Sequence, residues 1–249
     1  MANSLLGTTR TATGLPNRLI RKLENNAYGE RLDVEFRSEG VTCRAWLYKA
    51  DAAGTRPTVV LAGGWCYVRE VVMPTYAAAF AAAGLNALVF DYRNLGVSDG
   101  DNRQHLDPWA QIRDYQNAIS FLERHEAVDP HRIGVWGISY SGGHALVLAA
   151  TDPRVRSIVS QVPVVDGFEN MRRAHGTMEF RRLWAMILED RNLRYEKPGQ
   201  RLYLPTLLSI RKRRSRLGRS QRPYAPFSPL RRAKRRCTRT GARSNLSIS

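Results

Sequence analysis

Ser139 sits in "IGVWGISYSGGH" (133–144), where an apolar run passes directly into a turn of glycines and serines. A serine hydroxyl attacks a carbonyl at neutral pH only when a base takes its proton and preorganised donors receive the developing oxyanion. A sharp strand–serine–helix turn meets part of that need: it exposes the hydroxyl and aims the N–H of the next residue, Tyr140, at the oxyanion position. Such a turn strains the serine backbone, so the residues two before and two after must be small; here they are Gly137 and Ser141. Ser141 is a rival nucleophile, with Ser139 and Gly143 at its own flanking positions. The nucleophile should follow the strand directly, and the apolar run ends at Gly137, which favours Ser139. Glycine–serine turns also serve as plain connectors, so the surroundings matter. Earlier in the chain "LAGGW" (61–65) follows another apolar run and offers the N–H of Trp65, or of Cys66, as a second oxyanion donor.

The elements that must hold these groups are written in the hydrophobic pattern. "RLDVEFRS" (31–38) and "VTCRAWLYK" (41–49) alternate apolar and polar residues around Glu39-Gly40, predicting an antiparallel hairpin. "TVVLAGG" (58–64) and "NALVFDYR" (86–93) are continuous apolar runs, as expected of strands buried on both faces. Between them an Ala-rich helix, "MPTYAAAFAAAG", closes at Gly84. From Pro108 to Arg124 the spacing puts Trp109, Ile112, Tyr115, Ile119 and Leu122 on one helical face, with Asp107 as N-cap and Pro108 in the first position. "RIGVWG" (132–137), "GGHALVLAA" (142–150) and "VRSIVSQVPV" (155–164) continue as strand, helix and strand. The alternation predicts an α/β fold: a mostly parallel sheet with helices on both faces and an antiparallel hairpin at its start. Phe180, Leu183, Trp184, Ile187 and Leu188 then form a helical stripe, belonging either to a helix packed on the core or to a cap over a substrate pocket.

Charge divides the chain. Residues 201–249 hold 15 Lys and Arg and no acidic residue, whereas residues 1–200 hold 24 basic against 22 acidic residues. The net charge of +17 therefore belongs almost wholly to a C-terminal segment. Within it "RKRRSR" (211–216) and "RRAKRR" (231–236) carry the electrostatic footprint of contact with nucleic acid or an anionic surface. The three cysteines, Cys43, Cys66 and Cys237, are an odd number without metal-type spacing, which suits a reducing compartment. No run is apolar enough for a signal peptide or a membrane span, and a cytoplasmic location is expected.

Three motifs carry a resemblance. "DYRNLGVSDG" (91–100) is similar to the D-x-R-G-x-G-x-S-[DE]-G turn of one enzyme group, with Asn94 where glycine is usual. "GISY" (137–140) matches its G-x-S-Y elbow, and "AGGW" (62–65) departs from its H-G-x by Gly63 in place of His. Over roughly residues 32–200 the chain thus resembles the α/β-hydrolase superfamily, in the branch of dienelactone-hydrolase-like and X-Pro dipeptidyl-peptidase-like (S15-type) serine hydrolases. The resemblance implies a three-layer sandwich that cleaves ester, thioester or amide bonds of a small acyl substrate through an acyl-enzyme, without a cofactor. It implies Ser139 as nucleophile, with the N–H groups of Tyr140 and Trp65 as the oxyanion hole.

The same resemblance leaves the base unassigned. In that family the acid follows the seventh strand and the histidine the eighth; neither strand is found here, and no histidine follows His175. His144 should project beside the helix leaving the elbow rather than across the pocket, and His175 lies in the presumed cap segment. His105, His125 and His131 read as surface residues. Asp166, in "VPVVDG", stands where some relatives place the acid, and reads more readily as a turn residue before Gly167. Asp91 and Arg93 are expected to tie their turn together. The expected organisation is an N-terminal extension (1–30), a hydrolase domain lacking its last two strands (31–204) with cap or packing helices at 167–198, and a basic, disordered tail (205–249). That tail reads either as a genuine arm or, preferably, as the product of a truncated or frameshifted reading frame, because the Arg-rich run begins where a core strand is due. The alternative function is an inactive hydrolase remnant whose tail binds polyanions.

Overall fold

β1 (Arg31–Ser38) and β2 (Val41–Tyr48) pair antiparallel from Arg31 opposite Tyr48 to Ser38 opposite Val41. The two residues between them, Glu39 and Gly40, take φ of 48° and 87°, the backbone twist that a two-residue hairpin requires. The computed structural model describes residues 30–205 and 245–248. The expected N-terminal extension, Glu30 excepted, and residues 206–244 and 249 of the expected tail lie outside them.

β3 (Arg56–Ala62), β4 (Asn86–Phe90), β6 (Val128–Ile138) and β7 (Val155–Gln161) complete a six-stranded sheet of order β1-β2-β4-β3-β6-β7. The contacts of β3 with β4 and β6, and of β6 with β7, are parallel, while the hairpin joins through an antiparallel β2–β4 pair. β4 is buried at every position, which is why its sequence is an unbroken apolar run. α1 (Met73–Ala82) covers one face, packing Met73, Ala77 and Ala81 against Leu61, Val89 and Trp136. α2 (Pro108–Leu122) and α3 (Tyr140–Thr151) cover the other, where Tyr115, Ile119, Leu122, Ala145 and Leu148 meet Val60, Leu88, Phe90 and Val135. The expected three layers are present.

Asp107 caps α2 as expected, accepting from the N–H groups of Trp109 and Ala110. Trp109 does not lie on the buried face; it is 63% exposed. At 100° per residue it stands about 120° round from Tyr115, outside the arc that Gln111, Ile112, Ala118, Ile119 and Leu122 fill.

The outer strand β7 has no partner on its far side among the described residues. Val159, at its end, and Val162 and Val165, just beyond it, are 51%, 72% and 76% exposed. α4 (Gly167–Glu196) breaks at Gly176, whose φ and ψ are 66° and 173°. Of its apolar stripe Leu183 alone is buried, and no residue of α4 belongs to either core cluster. Instead Phe168, Phe180 and Trp184 pack on one another, with ring centroids 5.0 to 6.3 Å apart. Within the segment expected to lack structure, Asn245–Ile248 forms a short strand, β9, pairing parallel with β5 (His105–Leu106) and antiparallel with β8 (Leu204–Pro205). Its alternating "NLSI" is the local pattern that permits this. Among the described residues no helix is long and apolar enough to cross a membrane.

Candidate active site

β6 ends at Ile138 and α3 begins at Tyr140, leaving Ser139 alone to turn the chain, at φ 58° and ψ −115°. This is a conformation that a residue with a side chain holds only when its surroundings over-determine it. They do so here through the backbone: Ser139 N–H donates to Gln161 O at 2.9 Å, and Ser139 O accepts from Val164 N–H at 2.9 Å and Gly143 N–H at 3.3 Å. The turn is so tight that a Cβ on Gly137 would collide with the Ser141 carbonyl. The Ser139 side chain is half-buried, and its hydroxyl makes no hydrogen bond among the described residues.

The rival serine is placed quite differently. Ser141 is fully buried. Its Oγ accepts from Ile138 N–H at 2.9 Å and lies 3.0 Å from the carbonyl oxygens of both Ala62 and Ile138. It is a pin between the ends of β3 and β6. A second pin has no sequence signal at all: the Tyr115 hydroxyl, from α2, accepts from Ala62 N–H at 3.0 Å and donates to Trp136 O at 3.2 Å. Together the two hydroxyls hold the strand carrying Ser139 against the strand leading to Trp65.

Beyond Ala62 the chain passes over the elbow. A Cβ built on Gly64 would lie 2.7 Å from Ile138 O, 3.1 Å from Ser139 Cβ and 3.5 Å from Tyr140 N, so only glycine permits this approach. Trp65 follows at φ 48°, and its ring meets the Tyr140 ring edge-on, centroids 4.9 Å apart. Tyr140 N–H is the first of α3 and has no acceptor within its helix; Trp65 N–H makes no backbone hydrogen bond among the described residues. The structure therefore brings Ser139, Tyr140 and Trp65 together, with an anion-favouring helix N-terminus beneath them. Burial pushes the Tyr140 phenol up to about 12, so it stays protonated at neutral pH.

His144, Asp166 and His175 make their hydrogen bonds elsewhere. His144 is buried, its Nε2 2.9 Å from Gln111 Oε1 and its ring edge-on to Tyr140 and Tyr92. Burial pushes its imidazole down to about 4, so it is neutral and faces α2 rather than the Ser139 hydroxyl. Asp166 is exposed, and its Oδ1 caps α4 by accepting from Glu169 N–H at 2.9 Å; no imidazole is bonded to it among the described residues. His175 Nδ1 lies 2.9 Å from Met171 O on the same helix. Gln111 also lines a polar cleft of about 210 Å³ with Arg93, Asn94, His105, Asp107 and Arg113. Arg93, expected to tie its own turn, reaches further: it bonds Asp114 at 2.7 Å, Glu39 at 2.8 Å and Ser38 at 2.9 Å. It thereby joins the β4 turn to α2 and to the hairpin, through an Asp114 that sequence reasoning passed over.

Residues 25–228 match the family model of X-Pro dipeptidyl-peptidases (S15 family). Over 167 residues the chain is 37% identical to the quorum-quenching protein AidA of Acinetobacter baumannii, covering 67% of this chain and 55% of that protein. It is 42% identical over 190 residues to the thiohydrolase aneE of Aspergillus aculeatus, covering 75% of this chain and 56% of that one. The crystal structure of the alpha/beta hydrolase GrgF from a Penicillium species superposes with a TM-score of 0.60 at 26% identity, covering 73% of this chain and 60% of GrgF. The chain thus spans little more than half the length of the curated relatives it matches.

Proposed function

The chain belongs to the X-Pro dipeptidyl-peptidase (S15) family and has the α/β-hydrolase fold; from that premise we propose that the protein is a serine hydrolase acting on an ester, thioester or amide bond of a small acyl substrate. Ser139 Oγ attacks the carbonyl as a general base takes its proton, and the N–H groups of Tyr140 and Trp65 receive the oxyanion. The alcohol, thiol or amine leaves with that proton to give an acyl-enzyme, and water then hydrolyses it to the carboxylic acid and free Ser139. The observation that carries this reading is the strained Ser139 backbone at φ 58°, ψ −115°, held against the Gly64–Trp65 segment. Strain of that kind costs about 1–3 kcal/mol, and a mere connector has no use for it. The 42% identity with a protein named a thiohydrolase favours a thioester among the three bond types. His144, buried and bonded to Gln111, is not the general base. Cys43 and Cys66 are thiols rather than a disulfide, as suits a cytoplasmic enzyme.

A fluorophosphonate probe tests the proposal. The folded protein should be labelled at Ser139 and the Ser139→Ala variant should not. Folded protein that resists the probe, and hydrolyses neither p-nitrophenyl acetate nor an acyl thioester, would discard it. In that case the inactive-remnant alternative gains, and its own test is binding of DNA that weakens as salt rises.

A further inference from the structure

Two segments distant in sequence, at Arg44 and Arg69, and the turn at Val97–Ser98 converge on Asp91, the residue that follows β4. Its Oδ1 accepts from Arg69 N–H at 2.7 Å and its Oδ2 from Val97 N–H at 3.1 Å. Its own N–H donates to Arg44 O at 3.0 Å on β2. Its carbonyl accepts from Ser98 Oγ at 2.7 Å, and that hydroxyl in turn accepts from Arg44 N–H at 2.8 Å. The side chain is wholly buried, and Gly96 folds over it so closely that a Cβ there would collide with the carboxylate.

Arg69 belongs to the segment between β3 and α1 that carries Trp65. This segment is strained at both ends: Trp65 has φ 48° and Val72, a β-branched residue, φ 68°. Such values persist only where neighbours impose them. Its local hydrogen bonds, from Tyr67 N–H to Gly64 O and from Val71 N–H to Val68 O, shape each turn but tie neither to the rest of the fold. Beside the packing of Trp65, Cys66 and Val68 on the core, Asp91 supplies a buried polar tie, reinforced by the Arg69 guanidinium lying 4.2 Å over the Trp46 ring, its Nε 3.7 Å from Asp91 Oδ2. We propose that Asp91 is a positioning residue: its buried carboxylate holds the β3–α1 segment in the strained conformation that presents Trp65 N–H to the elbow. The catalytic consequence rests on the serine-hydrolase reading above; the structural hold does not.

The tie depends on ionisation. A carboxylate accepts strongly at both oxygens, whereas in a carboxylic acid one oxygen becomes a hydroxyl, a weaker acceptor whose own proton needs a partner. Burial pushes Asp91 up to about 6, with the nearby Glu70 raising it further and the Arg69 guanidinium and the two N–H bonds opposing. Stability and positioning then move in opposite directions. Because the folded-state pKa is raised, the unfavourable burial of this charge is relieved as pH falls, so the fold gains from Asp91 under the conditions that loosen Trp65. A carboxylate serving stability alone would show no such opposition.

The experiment uses the full chain and its Asp91→Asn variant, which keeps the shape and one acceptor. In the wild type the amide signals of Trp65 and Arg69, followed by ¹H–¹⁵N NMR between about pH 5 and 8, should titrate together with a midpoint near 6. In the variant they should not titrate. With p-nitrophenyl acetate the variant should lose about tenfold or more in kcat with KM changed less than about twofold. Amides that ignore pH in the wild type, or a folded variant with undiminished kcat, would overturn the proposal. A wild type that turns over nothing and resists fluorophosphonate defeats the hydrolase reading instead. The amide titration then still decides whether Asp91 holds the segment, even where the variant fails to fold.

Discussion

Replacing Ser139 by glycine should make the protein more stable while ending its acyl chemistry. The φ of 58° with ψ −115° lies in a region that glycine enters freely and other residues enter at about 1–3 kcal/mol. Glycine also widens the unfolded ensemble, which costs the fold about 0.4–1 kcal/mol. Nothing else is lost, because Ser139 is held by its backbone N–H and C=O, which every residue except proline retains. The net gain is about 1 kcal/mol, or about 2–4 °C in Tm for a chain of this size. Ser139→Ala keeps the Cβ and therefore the strain, and should melt within about 0.5 kcal/mol of the wild type. The assay is thermal unfolding followed by circular dichroism on the three proteins, with fluorophosphonate labelling to confirm that both variants are inert. A glycine variant that melts no higher than the alanine variant would refute the strain argument, and with it the main structural ground for assigning Ser139 a chemical task.

Ser141→Ala should cost about 1–3 kcal/mol, because it removes the buried partner of Ala62 O and the part-buried partner of Ile138 N–H; urea unfolding measures it, and fluorophosphonate labelling of Ser139 should slow as the two strand ends loosen. Gly137→Ala should abolish soluble expression or destabilise by more than about 3 kcal/mol, since the added methyl meets the Ser141 carbonyl rather than a side chain able to move. His144 should make the fold acid-sensitive. Its folded pKa is depressed to about 4 from an ordinary 6.5, so its contribution is complete above about pH 6.5 and is lost as pH falls through 4. The shift corresponds to about 3 kcal/mol. The pH dependence of Tm between about 7 and 4 should therefore flatten in His144→Phe, which cannot take a charge.

The signals read correctly along the chain are those carried over a few residues. The alternation of 31–38 and 41–48 announced the hairpin, the Asp107-Pro108 pair announced the α2 cap, and the small residues flanking Ser139 announced the elbow. Where the local signal was mixed, the reading needed correction. Trp109 was placed on the buried face by its helical spacing, and it stands exposed instead. The Arg93–Asp114 tie and the hydroxyl pins of Tyr115 and Ser141 were invisible. Their partners lie 21 to 79 residues away, and nothing in a periodic pattern names the far end of a hydrogen bond.

By itself the sequence determined the order of strands and helices, the turn that bends at a serine, and the family to which those motifs point. All are local: hydrophobic period, capping chemistry and steric allowance act within one or two turns of chain. Only the tertiary structure decided which of two serines is left with an unbonded hydroxyl. That outcome depends on β3 lying beside β6, so that Ala62 O claims the Ser141 hydroxyl and no described residue claims that of Ser139.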